Sequence, residues 1–328
     1  MAWITWTAHG ADEAGALLSR TCPRQHQSPS VPPLRPTFFK EITFSTMNTQ
    51  ILLLSVFWLA TAVSAQTFSL ASNGVTVRCP TANNGETGVV NGREYTKRNV
   101  DQIRSLIRTG NYSPLVTTCT SGITSMSKLF RDEALFDEDI SSWDTSSVTS
   151  MVDMFRNAVS FNKPIGYWDT RNLQYMRNMF NGAVSFNQPL RDWKTGLVRD
   201  FTGVFANAKR FDQDISTWNT GRATKMDYMF KGASAFRQGI SSWNVAKVKT
   251  MRSMFNKASN FDSSISEWNV RSVTDMTKMF YLAKRYKKDL TRWTGFVNSS
   301  PVTTKCRSFR KQSGLSASKA PKFKYCQQ

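Results

Sequence analysis

Residues 151–175 read MVDMFRNAVSFNKPIGYWDTRNLQY, and residues 176–200 read MRNMFNGAVSFNQPLRDWKTGLVRD. Laid one under the other, Met151 meets Met176, Phe155 meets Phe180, Phe161 meets Phe186, and Trp168 meets Trp193. The register runs outward in both directions. Trp143, Trp168, Trp193, Trp218, Trp243, Trp268 and Trp293 stand 25 residues apart, with no insertion or deletion between them. A Met column, two Phe columns and an Ile/Leu column keep the same step. Phe201 replaces one Met, and Tyr286 replaces one Phe. A fixed period of this length is the mark of a repeat array. One such unit cannot bury its own apolar face, so neighbours must stack and share a continuous core.

Within a unit, the apolar residues at i, i+3 and i+4 predict a short helix. It would start near Thr149 or Thr224, where a hydroxyl can cap the first turn. It would stop at Asn157, Gly182, Asn207 or Gly232, residues that tolerate a left-handed backbone. Two extended pieces follow. The piece around Trp-x-Thr is favoured for the shared parallel sheet, because Thr145, Thr170, Thr195, Thr220, Val245 and Val270 are β-branched. Asp137, Asn162, Asn187, Asp212 and Asp262 form a column that reads as a structural Asx ladder. A calcium ladder would need a glycine-rich spacing that is missing.

The unit Met-x-x-Met-Phe-x-x-Ala-x-x-Phe-Asn-x-x-Ile-x-x-Trp-Asp-Thr, as it stands from Met151, resembles the repeat of the BspA-like surface proteins, also called the DUF285 group. The resemblance covers seven units. It implies a leucine-rich-repeat-like solenoid, with a short helix and a short parallel β-strand per coil. It also implies a secreted or surface-attached protein with roles in adhesion or recognition.

The flanks read differently. Residues 1–46 lack periodicity and are expected to be a gene-model overextension or unstructured. Residues 47–65 resemble a signal peptide: Ile51 to Ala62 is apolar, and Val63-Ser64-Ala65 suits cleavage. The apolar run is too short to span a bilayer. Residues 66–118 read as an N-terminal cap, with a hairpin turning at Asn91-Gly92 and a helix from Asn99 to Arg108 opened by a capping box with Gln102. Residues 119–293 are the seven repeats, and the Lys/Arg/Ser-rich residues 294–328 are a basic cap or tail.

Beyond residue 65 the cysteines are Cys79, Cys119, Cys306 and Cys326, two at each end of the array. In a secreted chain this even count predicts disulfides. Because the ends of a rod are far apart, the pairs Cys79–Cys119 and Cys306–Cys326 are favoured over the other pairings. Asn111 and Asn298 open glycosylation sequons.

Catalysis is not expected. His9 and His26 both precede the signal segment, which leaves no His-dependent triad. Asp137, Asp139, Asp144 and Asp169 read as turn residues bonded to their own backbone. No cofactor or metal is expected.

The chain carries 43 Lys and Arg against 23 Asp and Glu, a formal charge of +20. Charge of that size speaks to partners and solubility rather than to fold. Arg171, Arg199, Arg222, Lys225, Lys247, Lys249 and Arg271 fall in the turn after Trp-x-Thr and should share one face. The first repeat is acidic instead, through Asp132, Glu133, Asp137, Glu138 and Asp139. The expectation is a secreted or cell-surface binding protein that recognises an anionic extracellular partner, an acidic polysaccharide or a protein, rather than nucleic acid. A self-assembling wall or matrix component is the second reading, and a carboxylate-dependent glycosidase the third.

Overall fold

Seven parallel bridges link the repeat units in sequence order: Ser125 to Ser150, Ser150 to Tyr175, Tyr175 to Asp200, and on through Lys225, Thr250 and Asp275 to Lys305. Each unit therefore lies beside the next, with equivalent residues in register. The computed structural model describes residues 67–299 and 304–324. These belong to one compact body, Thr61–Gln328. The overextension and signal-peptide readings of residues 1–65 lie outside the described residues.

The core is the set of columns named above. All seven repeat tryptophans are at most 3% exposed, and Phe130, Phe155, Phe180, Phe205, Phe230, Phe255 and Phe280 are fully buried. Rings in one column lie nearly parallel: Phe155 and Phe180 have centroids 5.7 Å apart at 6°, and Trp168 and Trp193 6.4 Å apart at 12°. Burying each Phe or Met contributes about 1.5–3 kcal/mol. The tryptophan N–H must also find a partner inside. From Trp168 to Trp268 it donates to a carbonyl of the preceding unit, Trp168 to Ile140 at 3.2 Å and Trp218 to Leu190 at 2.9 Å.

The helix expected near Thr149 and Thr224 does not form. The segment is a run of turns in which the amides alternate. Asn178, Phe180 and Gly182 donate to Thr202, Val204 and Ala206 of the next unit, at 2.7–2.9 Å. Met179, Asn181 and Ala183 donate three residues back. The alternation requires left-handed residues, φ +54° at Asn178 and +77° at Gly182, which an α-helix cannot contain. Three-residue turns place Met176, Met179 and Phe180 on one side just as a helix would, so the apolar spacing mimics one.

The pairing strand is also elsewhere. The bridges fall on the residue before the Met column, not on Trp-x-Thr. The Thr column is buried instead, and Thr195 and Thr220 donate to Asn219 and Asn244 carbonyls of the next unit at 3.0 Å. The Asx column is a structural ladder. Asn162, Asn187 and Asp212 amides donate to the side-chain oxygens of Asp137, Asn162 and Asn187, at 2.8–2.9 Å.

The amino-terminal end is closed by β1 (Ser69–Leu70) paired with β2 (Val77–Arg78), and by the hairpin β3 (Thr87–Val90) and β4 (Arg93–Lys97). α1 (Val100–Arg108) follows, with the Asn99–Gln102 capping box in place. β5 (Thr118–Cys119) pairs parallel to β4. Ile103 and Ile107 of α1 enter the repeat core. Cys79 and Cys119 form the expected disulfide, with Cα atoms 6.3 Å apart.

The carboxyl-terminal end extends further than the tryptophan count suggests. A lengthened unit contains α2 (Trp293–Ser299), and Lys305 then pairs with Asp275. Met276, Lys278, Phe280 and Leu282 donate to Lys305, Arg307, Phe309 and Lys311. Residues 305–312 thus repeat the turn run as an eighth unit, with Cys306, Phe309 and Leu315 buried. Cys306 is disulfide-bonded; Cys326, its expected partner, lies outside the described residues.

Candidate functional site

The last four turn runs form a groove of about 570 Å³. Lys231, Arg252, Lys257, Lys278, Arg307 and Lys311 line it, with Asn256, Tyr281 and Ser308, and no carboxylate is among the described lining residues. Each cation is held by the turn geometry. Lys257 and Lys278 sit at left-handed positions (φ +61° and +57°), which swing their side chains outward from the core. Arg252 is fixed through its amide, which donates to Asp227 Oδ1 at 2.7 Å. Burial is the main cause holding the Asp227 carboxyl above its usual range, opposed by hydrogen bonds from Thr250 and Arg252. Lys231 lies 5.6 Å over the Tyr228 ring, and Lys278 lies 6.0 Å over Tyr281. Cation–π contact steers such side chains without neutralising them.

Several carboxylates outside the groove are matched by cations. Lys163 pairs with Asp137 at 3.0 Å and Arg237 with Asp212 at 2.9 Å, each joining adjacent units. Lys288 pairs with Asp262 at 3.5 Å, and Arg292 pairs with Glu267. The groove therefore concentrates positive charge, whereas the Asx column is compensated at Asp137, Asp212 and Asp262.

Arg171, Arg199, Arg222, Lys225, Lys247, Lys249 and Arg271 are all exposed, as the turn position suggests. None of them lines the groove. Arg171 is neutralised by Asp169, with Nε 2.8 Å from Oδ2, and the same carboxylate raises its pKa through that hydrogen bond. It faces a separate hollow with Arg78, Asp144 and Asp169. The other six form no ion pair with a described residue. The groove cations were missed because only the apolar columns of the expected helix were followed, and because Arg307 and Lys311 fall in the stretch read as a basic cap or tail. Counting charge column by column through residue 311 would have found them.

The acidic candidates accept hydrogen bonds from neighbouring groups. Asp139 and Asp144 accept from the Ser141 and Ser146 amides, and Asp144 Oδ2 accepts from the buried Ser121 hydroxyl. Lys97 is buried beside them and donates to the carbonyls of Cys79 and Ser121. Burial lowers its pKa, while Asp144 acts in the opposite sense. Asn111 and Asn298 are exposed.

No curated protein and no solved structure matches the chain. The family model described as "Mycoplasma protein of unknown function, DUF285" matches residues 101–215 and 199–317, about two thirds of the sequence. These matches run from α1 through the eighth unit, including all the groove cations, so the chain belongs to the DUF285 family.

Proposed function

We propose that this protein is a secreted or cell-surface binding protein, and that its basic groove captures an anionic extracellular partner. In this reading the units form a repeat solenoid of the leucine-rich-repeat kind, used as a rigid ruler, and the protein binds rather than catalyses. The observation that carries the proposal is the groove itself: six cations and no carboxylate among its described lining residues. Ammonium and guanidinium groups so placed pair with sulfate, carboxylate or phosphate through charge-assisted hydrogen bonds. Two facts support the compartment. The Cys79–Cys119 disulfide suits an oxidising environment. Among the described residues no helix is long and apolar enough to cross a membrane.

The test is retention of the protein on an immobilised sulfated polysaccharide as salt rises. Replacing Lys257, Lys278 and Lys311 by Gln should bring elution to markedly lower salt, because exposed charge attraction is screened. Unchanged elution of that triple variant would overturn the proposal.

A further inference from the structure

The ladder that joins the units has a direction. In every unit the amides at the two left-handed positions point toward the next unit and donate to its carbonyls. Lys278 donates to Arg307 at 2.9 Å and Leu282 to Lys311 at 3.0 Å. The eighth unit repeats these left-handed positions at Ser308 (φ +55°) and Gln312 (φ +57°). It accepts from the seventh unit in register, yet no further unit follows among the described residues. The Ser308 and Gln312 amides therefore have no acceptor there. They form an open row of donors aimed off the end of the stack.

Ser308 lines the basic groove, and Arg307, Lys311 and Lys278 flank it there. A backbone N–H left free beside cations suits an oxyanion, to which it gives a charge-assisted hydrogen bond. A second observation lies deeper. Asn256 is only 8% exposed, and its Oδ1 has no partner among the described residues. Its Nδ2 reaches only Ser253 Oγ, at 3.5 Å. A buried unpaired acceptor is costly and calls for a donor. Inorganic sulfate has none to give, whereas a sugar hydroxyl does.

Resting on the groove reading above, we propose that the open Ser308 amide, with Arg307, Lys311 and Lys278, is an oxyanion site. It takes a sulfate ester or uronate carboxylate of an acidic polysaccharide, one of whose hydroxyls donates to Asn256 Oδ1. Single-stranded nucleic acid fits less well. Its bases need open aromatic faces on which to stack, and here Tyr281 already carries Lys278 over its ring.

Amide NMR of the full chain tests this, with sodium sulfate, a sulfated uronic-acid oligosaccharide and linear polyphosphate as three probes. Sulfate and the oligosaccharide should shift the Ser308 amide signal saturably. The paired Lys128 and Asp132 amides of the first unit should stay still. Asn256→Ala should weaken oligosaccharide binding about three- to tenfold, the worth of one hydrogen bond, and leave polyphosphate binding unchanged. Asn256→Ser, smaller but polar, should bind the oligosaccharide more tightly than Asn256→Ala, which separates a lost contact from a damaged fold. Salt-sensitive oligosaccharide binding with an unmoved Ser308 amide would overturn the oxyanion site while the groove reading stands. Equal loss of polyphosphate and oligosaccharide in Asn256→Ala would overturn the choice of polysaccharide. Absence of binding by all three probes would overturn the groove reading itself.

Discussion

The indole N–H of Trp193 donates to the carbonyl of Ile165 at 3.1 Å, one unit down the stack, whereas the indole N–H of Trp293 has no partner among the described residues. Both side chains are at most 2% exposed. They therefore differ in the hydrogen bond and hardly at all in burial. Trp193→Phe should destabilise by about 0.5–1.5 kcal/mol beyond the change in packing, because it removes one of the two hydrogen bonds that the Ile165 carbonyl accepts, the Trp168 amide at 3.3 Å remaining. Trp293→Phe should cost clearly less, since it removes a donor that is already unsatisfied. Chemical denaturation of the two variants side by side checks this, and equal losses would remove the hydrogen bond from the account.

Gly182 stands at φ +77°, and a Cβ there would lie 2.3 Å from the Asn157 side-chain oxygen of the preceding unit. Gly182→Ala adds left-handed strain, and the Asn157 side chain must also shift, so a loss of about 1–2 kcal/mol is expected. A Cβ on Gly239 would meet no atom within 4 Å, and its backbone lies outside the left-handed region. Gly239→Ala should fall within about 0.5 kcal/mol of the parent. Thermal unfolding of both proteins decides the matter, and a Gly182→Ala variant as stable as the parent would mean the units can slide apart at this column.

Tyr112 ties the cap to the first unit by donating its hydroxyl to Glu133. That hydrogen bond, then burial, then the charge of Glu133, push the tyrosine pKa up to about 12. A folded pKa raised above the unfolded value near 10 means the contact stabilises fully below about pH 10. The contribution is then lost as pH rises toward 12. Ultraviolet titration should show a late-ionising tyrosine that moves down in Glu133→Gln. Tyr286, whose pKa is also raised, mainly by burial, should stay late in that variant. No movement on removing Glu133 would contradict the assignment.

Lys225 and Lys249 are exposed and strongly suggested by sequence, but they sit outside the groove. Lys225→Gln with Lys249→Gln should change retention on a sulfated polysaccharide less than Lys278→Gln with Lys311→Gln, although both pairs remove two charges. Equal effects would indicate that net charge alone governs binding.

The sequence by itself determined the period and the identity of the core. A step of 25 residues places each Trp, Phe and Met against its own kind, and burying such surface outweighs what any single polar residue can do. It also determined the capping box, the cap hairpin and the Cys79–Cys119 bond, which depend on local chemistry and on thiols held at one end of the stack. Tertiary structure alone decided that the Met-Phe segment is a run of turns rather than a helix. The apolar spacing is common to both, and the choice turns on whether each amide bonds within its unit or to the next one. It alone decided the basic groove too. Lys231, Lys278 and Arg307 are far apart in sequence, and only the lengthened unit before Lys305 restores the register that brings them onto one face.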